Sequence, residues 1–562
     1  MTPSPRSLLL CAVVAALGAH GVVAQDLLDD KAWKKALATY QEWVQRPSLY
    51  KRTLARQTLA QTLDPRAFDI LVKSYSKPED PIDANRYLIA SIATRTFRSH
   101  ADEAALLAWR KKHGKAEDSW LWFESQRASA AKFFDDLRAQ ALGKGDPFLR
   151  AVALEALADA AQKGSEAEKL AELCLEVLDT LPEKDLERAL LTESVARTLH
   201  VMRRQVRGTT WRTVAEALIR QFDAPEMPAR TKVVVSRYLS DIFGVSNLGF
   251  ESRWWRTELD RDIAHSKPVE GKTTTVPFFS IRSVGYRFVY VIDASDSMCK
   301  RVSDREKKEI PTAGPSTGEG SKPKPKPGED AGFVPKETDL DWSRIVTRFD
   351  VGREFVRLSL RSLQPEHHFA VVLFGDEAEP LNATPKLVPA SPQNVRAAIA
   401  ELDAIHPGSP IPDRPDGVIR GRTNLHAGFA RAFEITKAGD VKRSEYVDAR
   451  ALMDGCDSIF LLSDGAPSWD DYPALDKRDP TDQAGDPESG IQHQNVDQLL
   501  FQGPYAHPPF EWLAQDIERM NLFRKAEIHC VGIGEASHDL LSRIARIGNG
   551  KALKIQGDIK PK

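Results

Sequence analysis

Cysteine is scarce in this chain, five in 562 residues, and no two of them form a CxxC pair. A disulfide-built scaffold and a zinc ribbon or finger are therefore excluded. Charge of one sign is lacking too. The formal net charge is −2, which leaves no whole-chain electrostatic reason for nucleic acid or an anionic membrane as partner. Past the N-terminus no apolar run approaches the ~18 residues of a membrane span. The HExxH, GxSxG, Walker-type and GxGxxG-type patterns are missing as well, so the common metalloprotease, serine hydrolase and nucleotide-binding signatures do not apply. His493 and His507 stand about 14 residues apart in a polar loop, a spacing that gives little reason for a zinc pair.

What is present starts with MTPSPRSLLLCAVVAALGAHGVVAQ. Arg6 supplies a positive n-region, Leu8 to Ala19 an apolar h-region, and Val22-Val23-Ala24 a small-residue cleavage site. Residues 1–24 thus read as a signal peptide, with a short membrane anchor as the alternative, and the protein is expected to be exported to a periplasm, cell envelope or exterior. Cys11 leaves with that segment. Cys530, in the strand-like IHCVGIG, is expected in a core.

At this length a single core is excluded, and two or three domains are expected. Residues 25–248 read as helix throughout. SEAEKLAELCLEVLDTL puts Leu170, Leu173, Cys174, Val177 and Leu178 on one face. DPFLRAVALEALADAAQKG opens with Asp146 as N-cap and Pro147 at the first helical position, and DPRAFDILVKSY repeats that opening at Asp64-Pro65, with Phe68, Leu71, Val72 and Tyr75 on one face. Short amphipathic helices in series suggest stacked helix pairs, and DPFLRAVALEALADAA resembles the second half of a HEAT-type repeat, so a HEAT-like solenoid is expected here. Residues 249–280 read as a connecting segment in which Trp254 and Trp255 plug the joint between domains.

From 281 to 562 strands alternate with helices. YRFVYVID, HFAVVLFGD, SIFLLSDG and EIHCVGIG are strand-like, and helix-like stretches lie between them, which predicts a doubly wound, Rossmann-like parallel sheet covered on both faces. Two interruptions break the pattern. The segment 301–341 is rich in Pro, Gly and Lys and is expected to be mobile, and 468–509 reads as a long acidic loop.

In parallel sheets ligands gather at the carboxyl ends of the strands. Asp293-Ala294-Ser295-Asp296-Ser297 ends one predicted strand and Ser463-Asp464-Gly465 ends another, so hydroxyls and carboxylates converge on one edge. Few, hard oxygen donors of this kind suit Mg²⁺. The DxSxS pattern, followed by Thr423 in GRTNLHAGF and Asp464 in LLSDG, resembles the metal-ion-dependent adhesion site of von Willebrand factor type A domains, and VGIGEASHDLLSRIARIGNGKAL resembles their last strand and helix. The resemblance spans roughly 280–555. It implies a metal held by Ser295 and Ser297 through their hydroxyls and by Thr423 directly or through water, with Asp293 and Asp464 supplying negative charge. The ion it implies is Mg²⁺, with Mn²⁺ or Ca²⁺ as alternatives, and its open position would take an Asp or Glu carboxylate of a protein partner. Asp296 stands where the family usually carries glycine.

The expectation is a non-enzymatic binding protein with the helical region as a second interaction surface. Two alternatives remain at this point. One is a metal-dependent hydrolase, although a phosphoryl-transfer enzyme of the haloacid dehalogenase type would need a second acid where Ser295 stands. The other is a scaffold in which the metal site docks onto the chain's own helical arm.

Overall fold

The structure, a computed structural model, describes residues 28–46, 49–62, 114–127, 133–161, 166–203, 210–264, 275–310, 340–407, 421–441, 449–469 and 510–556, with a few isolated positions between them. The expected signal peptide, Phe68, Val72 and Tyr75, most of the 301–341 and 468–509 segments, and His493 and His507 lie outside the described residues.

The N-terminal region is helical: α1 (Asp30–Trp43), α2 (Leu49–Gln61), α3 (Ser119–Arg127), α4 (Phe134–Leu142), α5 (Pro147–Ala161), α6 (Ala167–Asp179), α7 (Asp185–Met202), α8 (Thr210–Arg220), α9 (Ala229–Phe243) and α10 (Ser252–Ala264). From α3 onward the helices form two layers. Alternate helices stack, α3, α5, α7 and α9 in one layer and α4, α6, α8 and α10 in the other. The expected face of α6 is buried from Leu170 to Leu178, Cys174 included. Asp146 caps α5 as expected, its Oδ1 accepting from the Phe148 amide at 2.9 Å.

The expected connector begins with a helix, α10, which extends the helical region past residue 248. Its tryptophans break the periodic pattern that identifies the earlier helices. Trp255 is fully buried, donates from its indole to the Gly249 carbonyl at 2.8 Å and stacks on Phe243, so it packs inside the helical region's own core rather than between the two regions.

After an antiparallel pair, β1 (Val276–Phe278) and β2 (Ile281–Ser283), comes the main sheet. Its five parallel strands lie in the order β11 (Ala552–Gln556), β10 (Glu527–Gly534), β9 (Ser458–Ser463), β3 (Arg287–Asp293), β4 (His368–Phe374). The expectation of a purely parallel sheet is corrected at one edge, where β5 (Ala378–Pro380) and β6 (Val388–Pro389) run antiparallel to β4 and make the sheet mixed. Strands this short carry no legible alternation, and their prolines suit an edge that must not recruit another strand. A small antiparallel pair, β7 (Ile435–Thr436) and β8 (Gly439–Asp440), stands apart.

Helices α11 (Asp304–Glu309), α12 (Arg348–Ser362), α13 (Pro392–Asp403), α14 (Leu425–Glu434), α15 (Ala449–Asp454), α16 (Glu511–Asn521) and α17 (His538–Ile547) complete this region. Every residue of β3 is buried, as expected of a strand covered on both faces. Phe288, Tyr290 and Ile292 meet Phe349 and Val356 of α12 on one face. Val289 and Val291 meet Phe429 of α14, Ile517 of α16 and Ile544 of α17 on the other. Cys530 is buried in this second core, and Cys174, Cys299, Cys456 and Cys530 are free thiols.

Residues 301–310 depart from the expectation of a segment without packed structure. Ser303 and Glu306 form a capping box that nucleates α11, and Val302 and Ile310 insert into the core of Phe349. Two apolar residues among many charges are too few to read as a core from the sequence.

The helical region docks beneath the sheet, at the amino ends of the parallel strands. Arg237 of α9 donates to the carbonyls of Val284 and Asp457, the latter at 2.7 Å, and to Ser458 Oγ at 2.6 Å. Lys525 pairs with Glu155 of α5 at 2.7 Å, Phe523 packs edge-on against Phe148, and Leu452, Leu522 and Phe523 belong to the helical region's own core. The contacts come from the α3, α5, α7, α9 layer, so one face of the helical region is already occupied within the chain. The carboxyl ends of the strands lie some 20 Å away, the length of a seven-residue strand. Among the described residues the helical region thus meets the sheet at the edge opposite the carboxyl ends of the strands.

Candidate metal centre

Strand pairing builds the site. Ile292 of β3 lies opposite Leu462 of β9, so the next residues, Asp293 and Ser463, are level at the carboxyl edge. Ser463 Oγ donates to Asp293 Oδ2 at 2.6 Å, and the Ser295 amide donates to Asp293 Oδ1 at 2.9 Å. Beyond the strand the chain makes a short 3₁₀ turn, Asp296–Cys299, that folds Ser297 back toward Ser295, with 3.1 Å between their hydroxyls. Ser297 Oγ donates to Asp464 Oδ1 at 2.5 Å, and Thr423 Oγ1 to Ser295 Oγ at 3.3 Å. All five residues singled out in the sequence, Asp293, Ser295, Ser297, Thr423 and Asp464, thus join one cluster, and Asp293, Ser295, Thr423 and Asp464 are buried.

Thr423 is delivered by the turn that leads into α14. Asn424 caps that helix, its side-chain oxygen accepting from the Ala427 amide at 3.1 Å, while its own amide donates to the Gly375 carbonyl at 2.8 Å. Gly421 adopts φ +94°, and a β-carbon there would collide with the Asp376 carboxylate, which accepts from the Arg422 amide at 2.7 Å. Ser468 Oγ accepts from the Thr423 amide at 3.0 Å. Gly465 faces the cluster, where a β-carbon would stand 3.1 Å from Thr423 Oγ1. Asp296, the departure from the family pattern, is exposed and ties its loop to Gly421 through reciprocal backbone and side-chain hydrogen bonds.

Burial first, and the charge of Asp464 second, push the Asp293 carboxyl well above the usual carboxylate range. Burial also raises Asp464, against the opposing pull of Ser297 and Arg348. Two carboxylates and three hydroxyls converge here, and Asp464 is paired with a cation, Arg348, while Asp293 is held by neutral donors. A small, hard divalent cation fits that donor set, since it would relieve both carboxylates and accept hydroxyl oxygens as ligands. Among the described residues no group of three or more His, Cys, Asp or Glu side chains could hold a metal ion.

Ser463, named in the sequence as part of the converging edge, orients Asp293. The residues that sequence reading missed are further supports: Asp376 and Ser468 hold the Thr423 turn, and Arg348 donates to Asp464 Oδ2 at 2.8 Å. Asp376 carried a legible signal, being an aspartate at the end of a predicted strand like Asp293 and Asp464. Arg348 carries none, because an arginine at the start of an amphipathic helix is locally indistinguishable from a solvated one.

With this geometry in view, a family model described as von Willebrand factor type A domain matches residues 348–468 and 499–553. The matched residues include Thr423 and Asp464 and begin after the Asp293–Ser297 turn. A search of curated proteins finds no match. The chain thus joins a helical N-terminal region to a mixed α/β sheet consistent with the type A fold.

Proposed function

We propose that this chain is an exported, non-catalytic binding protein that recognises a protein partner through a divalent cation, Mg²⁺ foremost, held by Asp293, Ser295, Ser297, Thr423 and Asp464. The observation that carries the reading is their convergence into one hydrogen-bonded cluster at the carboxyl ends of two adjacent parallel strands. Type A domains commonly mediate protein–protein interaction, and the match to that family supports a binding role. The cation, when bound, supplies a Lewis-acidic position for an Asp or Glu carboxylate of the partner.

The helical region is the second interaction surface. Its two-layer stacking supports the HEAT-like reading, and the layer of α4, α6, α8 and α10 is the one turned away from the docked sheet. The N-terminal segment supports export by its signal-like composition.

Calorimetric titration of Mg²⁺ and Mn²⁺ into the metal-stripped chain tests the reading, beside Ser297→Ala, Thr423→Ala and Asp293→Ala. Saturable binding that weakens at least tenfold in the hydroxyl variants, with their melting temperature kept, is the expected result. No binding by the unaltered chain, or equal binding by all, overturns it.

A further inference from the structure

Of the groups around the cluster, one is a charge that the adhesion-site pattern does not account for. Arg348, the first residue of α12, is nearly buried, its side chain 6% exposed. Its Nη1 donates to Asp464 Oδ2 at 2.8 Å and to Glu535 Oε2 at 2.7 Å, and its Nε and Nη2 both hold Glu306 Oε1, at 3.0 and 2.9 Å. Glu306 is itself fixed. It is fully buried, and its other oxygen accepts from the Ser303 amide at 2.7 Å in the α11 capping box. Glycine at 534, with φ +63°, leaves the space that the guanidinium fills, since a β-carbon there would run into Arg348.

This clamp acts on one oxygen of one carboxylate. With Oδ2 of Asp464 taken by the guanidinium, Oδ1 faces Ser297 at 2.5 Å. Among the described residues Asp293 is held by neutral donors, the Ser295 amide and Ser463 Oγ. So one carboxylate of the cluster is held by a single charged N–H, from a guanidinium whose fork is anchored on Glu306, and the other by neutral dipoles. A guanidinium anchored on a capped helix is a rigid support, whereas a lysine ammonium would offer a point charge without the fork.

We infer that Arg348 is a positioning residue for Asp464, and that by fixing that carboxylate it sets the preference of the cluster for Mg²⁺ over Ca²⁺. Mg²⁺ demands short, near-octahedral oxygen geometry, while Ca²⁺ accepts longer and more variable ligands. A locked Asp464 favours the first, and a loosened one surrenders that advantage. Partners that orient a metal ligand typically change metal affinity ten- to a hundredfold when removed. The inference rests on the metal reading above.

The test is calorimetric titration of MgCl₂ and CaCl₂, separately, into the metal-stripped chain, Arg348→Lys, and the double variant Arg348→Met/Glu306→Leu. The double variant removes the Glu306 carboxylate together with its guanidinium, so no unpaired charge is left buried at that position. Melting temperatures of the metal-free proteins are measured alongside. Expected is a loss of Mg²⁺ affinity of roughly tenfold in the lysine variant and more in the double variant, with a smaller loss for Ca²⁺, so that the Mg²⁺/Ca²⁺ ratio falls while the melting temperature stays within a few degrees. A merely structural role would lower the melting temperature and leave the ratio alone. Unchanged or tighter Mg²⁺ binding in the variants overturns the role of Arg348 and leaves the metal reading standing. No binding of either ion, or of Mn²⁺, by the unaltered chain overturns both.

Discussion

Replacing Arg237 with methionine cuts the joint between the two regions at its most polar point. The guanidinium makes charge-assisted hydrogen bonds to the Val284 and Asp457 carbonyls and to Ser458 Oγ, and lies 3.6 Å from Glu527. Gly285 lets it approach that closely, because a β-carbon there would stand 3.1 Å from Arg237 Nη2. Methionine keeps much of the apolar stem but leaves three buried acceptors without this donor. Each such bond contributes roughly 1.5–3 kcal/mol, against which stands the desolvation of the guanidinium, recovered on removal. The balance for breaking one side of a buried charged cluster is about 3–5 kcal/mol. With an m-value of about 3 kcal/mol per molar urea, the unfolding midpoint falls by about 1–1.7 M.

Two probes separate the regions in that assay. Trp120, Trp211 and Trp255 are buried in the helical region, so tryptophan emission weights that region, while far-UV circular dichroism follows the whole chain. Coincident transitions in the unaltered protein that separate in Arg237→Met show that this side chain couples the two regions. A midpoint shift under about 0.3 M, with the transitions still coincident, refutes the reasoning. It would place the strength of the joint in the apolar packing of Leu452, Leu522 and Phe523 instead.

The same joint carries a pH dependence. Burial raises the Glu527 carboxyl, but His529, Arg237 and Ser283 outweigh it and hold it at about 2. Its stabilisation is therefore complete above the ordinary glutamate range and is lost as pH falls from about 4.5 toward 2, a contribution on the order of 3 kcal/mol; Glu527→Gln loses that acid limb in a urea-midpoint series against pH, and an unchanged limb counts against the assignment. Gly465→Val places a side chain against Thr423 and Ser297, so Mg²⁺ affinity falls at least tenfold by calorimetry while the melting temperature holds; undiminished affinity shows that the cluster is not where the cation sits. Chelation of the cation leaves the protein folded, because the cluster's hydroxyls and carboxylates already pair with one another. The melting-temperature loss in EDTA corresponds to no more than about 2.7 kcal/mol at a hundredfold excess of Mg²⁺ over Kd, and a global unfolding on chelation contradicts this.

Local sequence determined which residues form the elements and which end them. The apolar runs RFVYVID and SIFLLS are strands, and Asp293 and Asp464 fall at their ends because a carboxylate does not continue a buried run. A period-3.6 pattern located α6, and the resemblance to the type A adhesion-site pattern grouped Asp293, Ser295, Ser297, Thr423 and Asp464 before any distance was known. Elements held by a few contacts were not legible in that way. The antiparallel edge strands β5 and β6, the helix α11 and the helix α10 lack the length or periodicity that a pattern requires.

Tertiary structure alone decided what is long-range. Arg348 meets Asp464 across 116 positions of sequence, and Arg237 meets Ser458 across 221. Neither side chain differs locally from the many solvated arginines around it. Their burial, and so the strength of what they hold, follows from packing a helix end against the carboxyl edge of the sheet in one case and against its amino edge in the other. The end of the sheet on which the helical region docks is fixed by the same packing, and it leaves the cluster on the opposite edge.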